Sequence, residues 1–447
     1  MRIVALLSLL LPVGCEDGHS QPGPASEPSE GEGEADVGAG EDAGPTGEDV
    51  PVKPVRDTGP ECQVVPGAIE KCNGLDDDCD GLTDEGDPLL GADCEVDAAG
   101  CSFPGTQVCL NAGLQCQSGR SSLPGTLPHV SWDGDGHWLI SLMKDGAEPI
   151  PGGGLQVFLA VLEPGGDVLE LSRQISRSQV VAPRPGTAFA VPGGRGVAWL
   201  GPAQPMSQEI HLMTGWLDGL EAASLDTLDP TEELPANVRP AVATLDDGTV
   251  GIAYWDGRRD PGGIRFVRPG GQPVTPAGGA AAWADLASDG DAFNLAFVRP
   301  GHVVWNRLSA DGATLGQEEP IATAPRPQRV RLAGDRVAWL AVEEDGRSAQ
   351  VHVTALDPEL PLPDRILDRA GRADLAPSIV RVGERTLVAW TRDTNGGPEV
   401  VVAIAEDPHV AVPIGPGEAP VLALGPDGVG VAFDRGGQVH FLRATCQ

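Results

Sequence analysis

The sequence has few basic residues. Only 30 of its 447 residues are lysine or arginine, against 65 aspartate and glutamate, so the formal net charge is −35. Proteins that bind nucleic acid need clustered basic side chains to contact phosphates, and this composition therefore argues against nucleic acid as a partner. The acidic excess is uneven, because residues 1–119 carry 24 acidic and only 4 basic side chains. Together with the length, this unevenness predicts two or three structural units.

The sequence also has no hydrophobic run long enough to cross a membrane as a helix. The apolar segment Ile3–Leu11 is shorter than the roughly 20 residues that span a bilayer. It follows a charged start and leads to Cys15, which is typical of a signal peptide over residues 1–15. The residues before Cys15 resemble a bacterial lipobox, although Pro12 stands where leucine is usual. The resemblance implies an exported lipoprotein, anchored through lipid on Cys15 at the periplasmic or cell-surface face; an ordinary secretory signal is the alternative.

Large apolar residues are nearly absent from residues 16–60. This segment contains 12 acidic and 2 basic side chains among many glycine, proline and serine residues. Such a composition cannot bury enough apolar surface to offset the entropy of ordering the chain. The segment is therefore predicted to be a disordered acidic tether that holds the folded part of the protein away from the lipid surface.

The number of cysteines predicts a disulfide framework. With Cys15 assigned to lipid, eight remain, and an even number in an exported chain predicts up to four disulfide bonds. The candidates are Cys62, Cys72, Cys79, Cys94, Cys101, Cys109, Cys116 and Cys446. Seven of them lie in residues 61–119, which predicts a small, loop-dominated, disulfide-rich module. Because seven is odd, at least one must bond outside the module, and Cys446 is the only partner available.

Seven carboxylates fall within residues 76–87 of this module. Alternating aspartates followed by a glycine let several oxygens converge on one hard cation while the chain turns sharply, as in calcium loops. The predicted Ca²⁺ ligands are Asp76, Asp78, Asp80, Asp84 and Asp87. Asp77 and Glu85 lie outside this series. The loop resembles the calcium loops of thrombospondin type 3 repeats, because no amphipathic helix flanks it.

Residues 66–85 also resemble the metal-binding motif family named after the copper-binding protein MopE, which occurs in exported bacterial proteins and lipoproteins. The resemblance covers about 20 residues and implies copper. Copper prefers imidazole and sulfur ligands, however, and residues 61–119 contain neither histidine nor methionine. The ligand types therefore favour structural Ca²⁺, with copper or another transition metal, or no metal at all, as alternatives.

The rest of the chain contains a repeat and no convincing helical stretch. An apolar, small, apolar triplet recurs seven times between residues 120 and 447. The central residues are Ser141, Ala198, Ala253, Ala296, Ala338, Ala389 and Ala432. A period in the forties with short strands predicts a mainly β fold, a seven-bladed β-propeller in which each triplet lies on the second strand of a blade. The alternative is an array of β-sandwiches. Residues around Cys116 to Thr126 are predicted to supply the outer strand that closes the ring, with Cys446 securing the closure.

Familiar catalytic motifs are missing from the sequence. It contains no G-x-S-x-G, no H-E-x-x-H and no phosphate-binding loop. Residues 131–138 nearly match the Asp box of sialidases, but the only tyrosine, Tyr254, stands at a core position of a triplet. His129 and His137 are interpreted as ordinary surface residues and not as a metal pair. The sequence thus predicts a non-enzymatic binding or scaffolding protein with a protein or glycan partner at the cell envelope and membrane contact through the anchor only; the alternative is a sialidase-like enzyme acting on carbohydrate.

Overall fold

The structure of the protein is a computed structural model. It describes residues 69–446 except 80, 111–112, 119–120, 147–153, 178–181, 205, 218–221, 229–233, 236, 258–262, 358–363 and 371. The predictions for the signal peptide and Cys15, the tether, Cys62 and Asp80 lie outside the described residues.

The described chain is built from β-strands, and no helix occurs in the part that the structure describes. Strands β1 (Asp93–Ala98), β2 (Cys101–Leu110), β3 (Gly113–Ser118) and β4 (Ser121–Pro124) come first. Six four-stranded antiparallel sheets follow, and each is a run of consecutive strands.

The six sheets have the following bounds. The first two are β5 (Thr126–Trp132), β6 (Trp138–Asp145), β7 (Leu155–Leu162) and β8 (Val168–Gln174), then β9 (Thr187–Val191), β10 (Gly194–Gly201), β11 (Ile210–Trp216) and β12 (Ala223–Leu228). The next two are β13 (Ala241–Thr244), β14 (Val250–Trp255), β15 (Gly263–Val267) and β16 (Val274–Gly278), then β17 (Ala282–Ser288), β18 (Phe293–Arg299), β19 (His302–Leu308) and β20 (Glu319–Thr323). The last two are β21 (Pro327–Ala333), β22 (Arg336–Val342), β23 (Ala349–Ala355) and β24 (Arg365–Ala370), then β25 (Ser378–Val382), β26 (Arg385–Thr394), β27 (Gly397–Ile404) and β28 (Asp407–Pro416).

The end of the chain forms a larger sheet, which we call the closing sheet. It contains β29 (Glu418–Gly425), β30 (Gly428–Arg435) and β31 (Gln438–Cys446). Strand β4 pairs with the first half of β31, and β2 pairs with its last two residues. Strands β1 and β3 join the sheet through β2. The prediction that residues just before the first repeat supply the missing outer strand is confirmed by β4.

The predicted count of seven blades is wrong, because the structure has six regular four-stranded blades. The seventh repeat unit is not a separate sheet of that kind, since it merges with the cysteine-rich strands into the seven-stranded closing sheet. The sequence repeat could not reveal this merger, because β31 is long enough to pair with β4 through residues 438–441 and with β2 through Thr445 and Cys446.

The triplets explain how the sheets pack. All seven lie on the second strand of a sheet, as the repeat predicts, on β6, β10, β14, β18, β22, β26 and β30. Their small central side chains are completely buried, which lets neighbouring sheets approach closely. Apolar clusters then fill the space between successive sheets, as where Val351 and Val353 of β23 pack with Val388 and Trp390 of β26. The core of the propeller is therefore a ring of apolar layers between sheets.

The cysteine-rich segment is fastened to this ring by strands and covalent bonds. Disulfide bonds join Cys72 to Cys109, Cys94 to Cys116 and Cys101 to Cys446, and Cys79 is also disulfide-bonded. The bond between the module and Cys446 is the one that the odd number of cysteines predicts. Disulfide bonds persist in oxidising compartments, so the protein belongs outside the reducing cytoplasm. No helix among the described residues is long and apolar enough to cross a membrane.

Candidate functional site

The acidic loop of the module brings only part of the predicted ligand set together. Carboxylate oxygens of Asp76 and Asp78 lie within 4.8 Å of each other and of an oxygen of Glu70, which is 4% exposed. Glu70 also accepts hydrogen bonds from the backbone N–H groups of Asp78 (2.7 Å) and Asp84 (3.2 Å). The alternating pattern did not identify Glu70, because it precedes the loop, although it is part of the motif string that resembles the MopE family.

Asp84 and Asp87 instead hold the loop together through backbone N–H groups. One oxygen of Asp84 accepts from Asn73 and Gly74, both at 2.7 Å. Asp87 accepts from Leu89 (2.8 Å) and Cys72 (3.0 Å), and these two hydrogen bonds lower the pKa of its carboxyl group. The described ligand candidates that converge are therefore Glu70, Asp76 and Asp78.

A second candidate site, which the sequence did not reveal, is the central cavity of the propeller. It has a volume of about 530 Å³ and is lined by the first strands of the six blades and by β29 of the closing sheet. Its ionisable side chains are His129 on β5, Asp133 just after β5, Arg239 just before β13, Asp285 on β17, and Arg329 and Arg331 on β21. Three arginines thus face one cavity in a chain whose net charge is strongly negative.

Irregular backbone places several of these side chains. The strand pairings of β5, β17, β21 and β29 shift register near the start of each strand, and each shift contains a non-glycine residue with positive φ. These residues are Leu127 (49°), Trp283 (52°), Arg329 (57°) and Ala419 (51°). A β-bulge changes the direction of the side chains that follow it. Two residues further along three of these strands stand His129, Asp285 and Arg331, all lining the cavity.

The arginines are anchored by neutral groups. Arg239 donates to the carbonyl oxygen of Pro128 at 2.9 Å, and Arg331 donates to that of Val330 at 3.0 Å. Arg329 donates to Oδ1 of Asn237 at 2.7 Å, while its guanidinium lies 3.9 Å from the ring centre of Trp283. No carboxylate among the described residues forms an ion pair within 4 Å of any of the three guanidinium groups.

The electrostatics of the cavity follow from crowding and loss of hydration. Burial, reinforced by the positive charge of Arg331, lowers the pKa of Arg239 to about 9 and that of Arg329 to about 10. Burial lowers the pKa of His129 well below its usual range, and Arg239 and Arg331 add to the effect. Burial raises the pKa of Asp285, despite a hydrogen bond from the Leu332 N–H at 2.6 Å. His129 is therefore neutral at pH 7.

Some buried polar atoms of residues that line the cavity have no hydrogen-bond partner. They are Nδ1 of His129, Oγ of Ser131 and Nε of Arg329. Arg329 is 7% exposed, so its unpartnered N–H is enclosed by the protein. Buried donors and acceptors without partners are uncommon, so these three atoms require an explanation. The interpretation of His129 as an ordinary surface residue is therefore wrong.

His137 is also not a free surface residue. Its Nδ1 lies 2.8 Å from Nη2 of Arg195 and 3.1 Å from Oδ2 of Asp133. Asp133, whose side chain is 1% exposed, accepts from Nε of Arg195 at 2.9 Å and from the backbone N–H groups of Asp135 and His137 at 2.8 Å. This part of the near-match to an Asp box is therefore a closed turn.

Tyr254 has the environment of a core residue. It is 1% exposed, and its hydroxyl donates to Asp226, which also pairs with Arg265 at 3.0 Å. Burial and the Asp226 carboxylate raise the pKa of the phenol above its usual value. Tyr254 does not line the central cavity, so the nucleophile of a sialidase-like mechanism has no support at this position.

No protein-family model matches the sequence, and no curated protein matches it either. Among solved structures, similar folds include TolB from Acinetobacter baumannii, at 14% identity and a TM-score of 0.42 over 64% of this chain and 66% of that chain. An α-L-arabinanase from Penicillium chrysogenum is 14% identical, with a TM-score of 0.41 over 73% of this chain and 99% of the other. A puromycin-hydrolysing peptidase from Mycobacterium tuberculosis is 16% identical, with a TM-score of 0.42 over 73% and 54%.

The comparisons correct the prediction that the protein is not an enzyme. Two of these three similar structures, the arabinanase and the peptidase, are of enzymes, so a propeller without a familiar sequence motif does not exclude catalysis. With TM-scores below 0.5 and identities this low, the similarity assigns neither a family nor an activity to this chain.

Proposed function

We propose that the protein is an exported binding protein of the cell envelope, in which the propeller holds the ligand and the cysteine-rich module fixes the closure of the ring. The observation that carries this proposal is the central cavity of about 530 Å³, whose size is typical of small-molecule sites. The ligand is then a small molecule or an exposed group of an envelope protein or glycan. Lipid on Cys15 and the acidic residues 16–60 would attach this unit to the membrane, since the lipobox resemblance implies an anchor.

We further propose that the acidic loop binds Ca²⁺ as a structural ion. Glu70, Asp76 and Asp78 would hold it, because hard carboxylate oxygens are what Ca²⁺ prefers. Copper fits the described donors poorly, since Cys72 and Cys109 are joined in a disulfide bond and the module has no histidine or methionine. The MopE resemblance thus supports a metal site, and its donor chemistry favours calcium.

The calcium proposal is tested by thermal unfolding of the full mature chain. Extracellular calcium modules bind with Kd of about 0.1–1 mM, so 10 mM Ca²⁺ should stabilise the protein by about 1.4–2.7 kcal/mol relative to EDTA. Asp76→Asn should abolish most of this difference, because it removes a converging carboxylate. Asp77→Asn is the matched control, since Asp77 accepts hydrogen bonds from Lys71 and Asn73 outside the cluster.

Two results would contradict the calcium proposal. One is an equal Ca²⁺ response in the Asp76→Asn and wild-type proteins, which would place any ion elsewhere. The other is stabilisation by Cu²⁺ but not by Ca²⁺, which would favour the copper interpretation of the family resemblance.

A further inference from the structure

We infer that the central cavity is an oxyanion site, in which Arg239, Arg329 and Arg331 bind a carboxylate or phosphate group of the ligand. The inference rests on the proposed binding role of the propeller and names the chemical class of its ligand. It does not depend on calcium or on the lipid anchor.

The first argument is the balance of charge inside the cavity. Three guanidinium groups share it with two carboxylates, and His129 is neutral at pH 7. One carboxylate, Asp133, is already paired with Arg195 at 2.8 Å, which leaves Asp285 to face the three cations. Arg331 disfavours the charged forms of both Arg239 and Arg329, so the three cations repel one another across the cavity. A bound anion would relieve this repulsion, and guanidinium groups match the planar fork of a carboxylate or the oxygens of a phosphate.

The three arginines use few of their N–H donors for hydrogen bonds within the protein. Each arginine has five N–H donors, whereas each of these three uses one terminal nitrogen for a neutral oxygen of the protein. The Nε of Arg329 is enclosed and has no partner. Stacking on Trp283 and the hydrogen bond to Asn237 hold the Arg329 side chain in place before any ligand arrives. Such preorganisation reduces the entropy that binding would otherwise cost.

The third argument is the strained backbone. Arg329 itself, and the residues two before His129 and Asp285, adopt left-handed conformations that non-glycine residues seldom occupy. Strain of this kind is kept where the surroundings enforce it, and it clusters at ligand sites. Here the left-handed residues recur on separate strands around one cavity, and on three of these strands an ionisable residue of the cavity lining follows two positions later. A bulge with a purely structural role would not require an ionisable residue at that position.

The inference is tested by titrating the purified protein with inorganic phosphate and, separately, with succinate, at constant ionic strength and without added calcium. Wild-type protein should show saturable binding by calorimetry and a rise in melting temperature with at least one of the two. Arg331→Gln should weaken that binding at least tenfold. Arg299→Gln is the matched control, because Arg299 pairs with Glu318 on the outside of the propeller and should leave binding unchanged.

Misfolding of the variant can be distinguished from loss of the site. Without ligand, Arg331→Gln should melt within a few degrees of wild type, because the lost repulsion with Arg239 and Arg329 is offset by the lost attraction to Asp285. Response to only one anion identifies whether phosphate or carboxylate is the group recognised. No response to either anion, or equal affinities for wild type and Arg331→Gln, overturns the inference. Saturable binding of an uncharged sugar in the same assay, without a response to either anion, would refute the ligand class alone and leave the proposed binding role of the propeller in place.

Discussion

The cysteine-rich module and the propeller stabilise themselves in different ways. The loop over residues 69–92 is mostly exposed and is held by carboxylates that accept backbone N–H groups and by disulfide bonds. The propeller buries apolar layers between its sheets, and its described residues before β31 contain no disulfide bond. The chain therefore uses disulfide bonds where apolar residues are few and apolar packing where they are plentiful.

The two regions also treat charge in opposite ways. The acidic loop keeps most of its carboxylates in contact with water or backbone donors, so their mutual repulsion is screened. At the central cavity Arg329 is buried and Arg239 is half-buried, and burial lowers the pKa values of both. Burial, and not the number of like charges, therefore distinguishes the charged groups of the cavity from those of the acidic loop.

A large loss of stability is expected from breaking the packing of the propeller. Trp390 is 1% exposed within an apolar layer between two sheets. Trp390→Ala should lower the free energy of unfolding by about 3–5 kcal/mol, because it removes buried contacts and leaves a cavity. In the module, Leu89→Ala should change it by less than about 0.5 kcal/mol, since Leu89 is 54% exposed. Urea denaturation measures both, and similar losses would refute the proposed division between packing and staples.

Removing disulfide bonds that close loops of different length should also lower the free energy of unfolding. The Cys101–Cys446 bond closes 345 residues, and the Cys94–Cys116 bond closes 22. In the chain-entropy account the longer loop stabilises more, so Cys101→Ser with Cys446→Ser should cost about 6 kcal/mol, against about 3 kcal/mol for Cys94→Ser with Cys116→Ser. Denaturant midpoints of the two double variants test this order. A larger loss for the shorter loop would show that the module, and not the ring, depends on covalent support.

The smallest expected effect is the dependence of stability on pH that His440 contributes. His440 on β31 accepts a hydrogen bond from Arg435 at 2.9 Å, and burial together with the charge of Arg435 lowers its pKa to about 4. Between about pH 6.5 and pH 4 the unfolded chain binds a proton at this residue and the folded chain does not, so stability is lost as the pH falls. From pH 7 to pH 5 the loss attributable to His440 should be about 1 kcal/mol after allowing for partial exposure.

The variant His440→Gln should remove that part of the pH dependence, whereas His302→Gln, at an exposed position on β19, should not. Melting temperatures of the three proteins at pH 7 and pH 5 decide the point. An unchanged pH profile in His440→Gln would mean that the charged imidazole is tolerated in the closing sheet.

Much of the fold could be predicted from the sequence because it depends on local patterns. The small residues such as Ala338 and Ala389 recur at blade spacing, and the odd number of cysteines in the module left Cys446 as the external partner. The merger of β1, β2 and β3 with β31 could not be predicted, because strand pairing between distant segments depends on exposed edges that no local pattern records. The repeat therefore predicted one blade more than the six that the structure contains.

The candidate sites show the same limit. Asp76 and Asp78 were found from their spacing, but Glu70 joins them only through the folding of the loop. The cavity residues His129, Arg239 and Arg331 are far apart along the chain and belong to no motif. His129 and Arg331 each follow a bulge at the start of the first strand of a blade, and such a bulge becomes visible only when the pairing partners are known.

The closing sheet imposes an order on biosynthesis. The partners of β4 and of Cys101 lie on β31, more than 300 residues later, so neither can be satisfied until the last strand has been made. During that interval Cys101 is a thiol without its native partner beside neighbours that can already oxidise, and exchange among them is a route to mispaired chains. Contacts of such long range also slow folding. Efficient maturation would thus depend on thiol–disulfide isomerisation after the chain has left the cytoplasm.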